Sequence, residues 1–77
     1  MANQNDFLLL KNAENDAQSM TKNIYNALES HKRAVEFAGG DIDNSEIIAD
    51  LRDALEHAKL AADNVDRAKS SYDNRYL

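Results

Sequence analysis

The sequence predicts an all-α fold: an antiparallel two-helix hairpin, dimerising into a four-helix bundle. Three observations lead there. Two long alanine-rich heptad patterns fill most of the 77 residues, one Gly39-Gly40 pair separates them, and proline is absent. Residues 1–77 read as a single helical-hairpin domain, with a helix over about 5–38, a turn over 39–43 and a helix over about 44–73.

In the first segment, Leu10, Ala13, Ala17, Met20, Ile24, Ala27, His31, Ala34 and Ala38 recur at spacings of three and four. That period predicts a helix with a seam facing another helix. Phe7, Leu28 and Val35 lie beside the seam and widen the apolar stripe beyond that of a two-stranded coiled coil.

Gly39-Gly40 ends this helix, because glycine takes up left-handed backbone geometry at little cost. Asp43 stands three residues before Glu46, the spacing of an acidic capping box, and Asn44 competes for the cap. Either residue starts the second helix. Its seam is Ile47, Leu51, Ala54, Ala58, Ala61, Val65, Ala68 and Tyr72, flanked by Ile48, Leu55 and Ala62, with Leu60 on the polar side.

A short connection makes the helices antiparallel neighbours. If facing residue numbers add to roughly 83, Phe7 approaches Tyr76, Leu10 the level of Tyr72, and Ile24 lies near Ala58. Alanine lets helix axes approach closely but supplies little apolar area. A chain this short gives one marginal core, which favours self-association. The expected dimer interface is the flank of Phe7, Leu28, Val35, Ile48 and Leu55; the expected partner is a second copy, with another helical or basic protein as the alternative.

Fourteen acidic and nine basic side chains give a formal charge of −5, which argues against a nonspecific grip on nucleic acid or anionic membrane. There is no basic stripe and no aromatic-basic interleaving for direct nucleic-acid recognition. No apolar run is long enough to span a bilayer, and Phe7-Leu8-Leu9-Leu10 is too short for a signal peptide, so the expected location is cytoplasmic. Cysteine is absent, and two histidines with scattered carboxylates form no recognisable metal motif.

No phosphate-binding glycine loop, HExxH motif or fixed nucleophile-base arrangement is present, so the reading is noncatalytic, without cofactor or metal. His31 on the seam reads as a partly buried structural histidine and His57 lies off it. Asp53, Glu56 and Asp63 are the candidate acidic surface for a basic partner, within a helix that also carries Arg52, Lys59 and Arg67. Glu29 with Arg33, and Asp63 with Arg67, have the spacing of helical ion pairs. Tyr25 is a candidate edge aromatic, and Tyr76 a candidate clamp over Phe7 at the open end.

Phe37-Ala38-Gly39 at the turn resembles the Trp-x-Gly turn of the small helical hairpins exported by type VII secretion. The resemblance implies dimerisation and secretion. Phe37 replaces the tryptophan, and Tyr72-Asp73-Asn74-Arg75-Tyr76 departs from a Tyr-x-x-x-Asp/Glu export signal. The residues themselves lead to a noncatalytic interaction module, a small regulator or adaptor; the alternatives are an acidic inhibitor that mimics nucleic acid and a purely structural assembly protein.

Overall fold

A computed structural model describes residues 4–76; the first three residues and the last lie outside it. Helix α1 spans Gln4–Phe37 and helix α2 spans Glu46–Tyr76, joined through a 3-10 turn at Ile42–Asn44. The helices pack along their length as an antiparallel hairpin, a rod of 59 × 14 × 13 Å.

Two local structures make the reversal. At the end of α1, Gly40 N–H donates to Val35 O at 2.9 Å and Gly39 N–H to Glu36 O at 3.0 Å, which is a Schellman motif. Gly39 carries the left-handed backbone of that motif, φ 75°. The chain then turns on Asp41. Its carboxylate accepts from Asp43 N–H at 3.0 Å and from Asn44 Nδ2 at 2.7 Å, holding the 3-10 turn.

The cap of α2 is Ser45. Its Oγ accepts from Ile48 N–H at 3.2 Å, and its carbonyl accepts from Ala49 N–H at 3.1 Å. This corrects the expectation that Asp43 or Asn44 starts the helix: both lie in the 3-10 turn, and α2 begins at Glu46. Asp41 and Ser45 divide the work that one capping box was expected to do.

The seam is also rotated from the expected one. On α1 the inward columns are Phe7, Leu10, Glu14, Ala17, Thr21, Ile24, Leu28, His31 and Val35, all buried or half-buried and again at spacings of three and four, with Ala13, Glu29 and Lys32 half-buried beside them. On α2 the inward columns are Ile48, Leu51, Leu55, Ala58, Ala62, Val65, Lys69 and Tyr72, with Ala54 and Asp73 half-buried beside them. Leu28, Ile48 and Ala58 are 5%, 0% and 2% exposed. Leu10, Ala17, Ile24 and His31, and Leu51, Ala58, Val65 and Tyr72, belong to both the expected and the observed seams.

Most of the other half of each expected seam faces outward, while Ala13 and Ala54 are half-buried at the edge of the observed one. Met20 is 47% and Ile47 57% exposed, and Ala27, Ala34, Ala38, Ala61 and Ala68 are exposed as well. The physical reason is area: a branched or aromatic side chain removes far more apolar surface from water than alanine, at about 25 cal/mol per Å². Each helix therefore turns its larger residues inward, although this draws Glu14, Thr21 and Lys69 to the seam as well. Thr21 tolerates the position because its Oγ1 donates to Ala17 O at 2.9 Å.

Interhelical proximities fix the register. Glu14 lies beside Asp66 and Lys69, and Thr21 shares a groove with Lys59 and Ala62. Facing residue numbers thus add to roughly 80 to 83, as antiparallel neighbours on a short connection should.

Candidate functional site

An antiparallel pair of helices with an inward seam has two remaining sides, and here they differ in chemistry. The columns beside the seam on one side are Lys11, Gln18, Tyr25 and Lys32 from α1, and Arg52, Lys59, Asp66 and Asp73 from α2. On the other side α1 contributes Ala13, Met20, Ala27 and Ala34, and α2 contributes Ile47, Ala54, Ala61 and Ala68. The first side is polar and charged. The second carries no charged or polar side chain in its columns from Ala13 to Ala34 and from Ile47 to Ala68; Asp6 and Arg75 continue the two columns at the open end.

The polar side is organised near the open end. Lys69 Nζ donates to Asp73 Oδ2 at 3.0 Å and lies 5.6 Å from the centre of the Phe7 ring, within cation–π range. The Lys69 pKa is raised above 10.5, first by that hydrogen bond and then by the charges of Asp73, Glu14 and Asp66, against partial desolvation. Across the seam the Glu14 carboxyl lies beside that of Asp66, close enough to form a hydrogen bond when one of them is protonated. That bond raises the Glu14 pKa above 4.5; desolvation and the charges of Asp66 and Asp73 push the same way, and Lys69 opposes them. Among the described residues, Asp73 Oδ1 is enclosed without a hydrogen-bond partner.

Farther along, Gln18, Thr21, Lys59, Ala62 and Asp63 line a shallow groove of about 270 Å³. It is open and lies between long surface side chains. Among the described residues, no group of three or more His, Cys, Asp or Glu is arranged to hold a metal ion. Nor is any helix long and apolar enough to cross a membrane.

The expected dimer flank does not lie on either outer side. Phe7, Leu28, Val35, Ile48 and Leu55 all belong to the seam inside the hairpin, and burial of Leu28 and Ile48 within one chain leaves them no outward surface. This is a correction of their placement: they hold α1 to α2. The eight residues of the uncharged side were missed as a surface because their periodicity was assigned to the core.

Asp53, Glu56 and Asp63 are exposed on the back and polar side of α2, where Arg52, Lys59 and Arg67 are exposed among them. Arg67 bonds to the Asn64 side chain, and Glu29 pairs with Lys32 at 3.4 Å, in place of the expected partners Asp63 and Arg33. His31 is partly enclosed in the seam, and His57 is exposed. Tyr25 stands exposed on the polar side. Tyr76 rests on Tyr72, ring centres 5.0 Å apart and planes at 46°, while the Phe7 ring is covered by Lys69. The open end is thus closed by an ammonium, with the tyrosines adjacent.

No protein-family model matches the chain, and comparison with curated proteins and with solved structures gives no match.

Proposed function

We propose that the chain is a noncatalytic protein–protein interaction module, a small regulator or adaptor that associates with another helical surface as a four-helix bundle, in the cytoplasm. The observation that carries this reading is the contrast between a thin interior and an apolar exterior. Among the described residues only Leu28, Ile48 and Ala58 are buried, whereas Met20, Ile47, Leu60 and Phe37 are about half or more exposed, Phe37 at 96%. Large apolar groups left in water favour association, since each buries further area only by gaining a neighbour.

An acidic inhibitor is the weaker reading. Exposed Arg52, Lys59 and Arg67 break the negative field of Asp53, Glu56 and Asp63, and a mimic of phosphate charge gains its steering from an unbroken one. Light-scattering mass from low to high micromolar concentration tests the association, together with thermal unfolding over the same range. A mass above 8.6 kDa and a midpoint that rises with concentration are expected. A constant monomer mass with a concentration-independent midpoint would remove the self-associating form of the reading.

A further inference from the structure

We propose that a second copy of this chain covers the uncharged side of the hairpin, with a twofold axis parallel to the rod, so that α1 of each copy lies on α2 of the other. The proposal rests on the interaction-module reading and names its partner and its surface.

Area points to a partner of this kind. The hairpin exposes 5795 Å². A compact chain of 8.6 kDa exposes about 4,700 Å², so the excess is roughly 1,100 Å². A stable interface removes about 800 Å² from each partner. One copy has enough excess surface to make such an interface, and pairing along the rod's length thickens the structure where it is thinnest.

Shape points to a second copy in particular. In the hairpin's register, Met20 stands at the level of Ala61, Ala34 near the level of Ile47, and Ala27 at the level of Ala54. Each level therefore carries one bulky residue beside one alanine, or two alanines. A twofold axis along the rod keeps every level at its own height while exchanging α1 with α2. Met20 then meets the partner's Ala61 and Ile47 meets the partner's Ala34, each contact occurring twice, as an isologous interface requires. At the level between them, Ala27 meets the partner's Ala54, and two alanines let the axes approach closely. Every neighbouring helix pair in the resulting four-helix arrangement is antiparallel.

Charge is compatible with self-pairing. Each copy has a net charge of −5, and two such surfaces repel unless the contact is made where no charge stands. These two columns meet that condition from Ala13 to Ala34 and from Ile47 to Ala68, and at the open end the twofold axis sets Asp6 opposite the oppositely charged position 75 of the second copy. The polar side, with Asp66, Asp73, Lys59 and Arg52, meets it nowhere.

The absence of native cysteine permits a direct test. Chains carrying Met20→Cys and Ala61→Cys are prepared separately, mixed, equilibrated and oxidised. The mixture is expected to give a covalent dimer on a nonreducing gel at least five-fold above either variant alone, and above Met20→Cys mixed with Asp53→Cys. A parallel variant, Ala61→Glu, is expected to keep its helical circular dichroism and to fall to monomer mass at concentrations where the native chain is dimeric. A native dimer that survives Ala61→Glu and gives no excess mixed cross-link overturns this surface while leaving self-association intact. Efficient cross-linking of Met20→Cys with itself overturns the axis. A native monomer across the range overturns the second copy, and with it the self-associating reading.

Discussion

The Glu14 carboxyl lies beside the carboxyl of Asp66 on the opposite helix, so two acidic groups meet at the edge of the seam, close enough to share a hydrogen bond. Two carboxylates share such a bond only while one of them keeps its proton. Glu14 accordingly titrates above its ordinary value of 4.5, first through that bond and then through desolvation and the Asp66 charge. A group whose pKa is higher in the folded than in the unfolded chain stabilises the fold fully below the unfolded value. That contribution is lost as pH rises through the folded one. The contribution of Glu14 to the urea midpoint should therefore shrink as pH rises above its ordinary value of 4.5. Glu14→Gln, which keeps a hydrogen-bonding end and removes the titration, should flatten that part of the profile. Parallel profiles for the native and substituted chains would show that the pair does not act on stability.

The start of α2 separates two possible caps. Ser45→Ala removes the acceptor for Ile48 N–H and should cost about 1 kcal/mol, the usual loss for an N-cap. Asp43→Ala should cost much less, because the Asp43 side chain is not that acceptor. Chemical denaturation of the two variants measures the difference, and equal losses would contradict the assignment of Ser45.

At the other side of the turn, Gly39 takes φ 75° with open space where a Cβ would stand. Gly39→Ala should therefore be strained by its backbone alone, at about 1 kcal/mol. Gly39→Asn should lose less, since asparagine tolerates this region. Gly40 differs: a Cβ there would lie 3.1 Å from Val35 Cγ1, so the penalty of Gly40→Ala would come from crowding.

Ile48 is fully enclosed, and in a hairpin with so few enclosed residues its loss is felt globally. Ile48→Ala should cost about 2–5 kcal/mol, enough to unfold most of a marginal domain. Ile47→Ala, one position away on the uncharged side, should barely change the fold of a single chain while weakening its association. Comparing circular dichroism with light-scattering mass for the two variants distinguishes a residue of the seam from a residue of the outer side.

The hairpin could be read from the sequence because its signals are local. Heptad spacing, absence of proline and Gly39-Gly40 each act within a few residues of where they stand. Rotation of the helices about their axes is a different quantity, settled by comparing whole columns. Alanine misleads there: Ala27, Ala34 and Ala61 complete an apolar column as readily as they sit in water, since exposing a methyl group costs little. Glu14, Thr21 and Lys69 misled in the opposite sense, as polar residues in columns that face inward. Weighting each column by side-chain area would have favoured Phe7, Leu28, Val35, Ile48 and Leu55 for the seam. The carboxyl pair had no sequence signal, because Glu14 and Asp66 meet only once the register is set.

The Schellman motif and the Asp41 turn also bear on the order of events during folding. They bring Val35 and Ile48 together across a short loop, whereas joining Phe7 to Lys69 closes one about five times longer, at about 1.4 kcal/mol more of chain entropy. The hairpin should then zip from its turn toward its open end. Substitution of Ile48 would slow folding, while substitution of Phe7 or Glu14 would leave the folding rate nearly unchanged and alter the rate of opening.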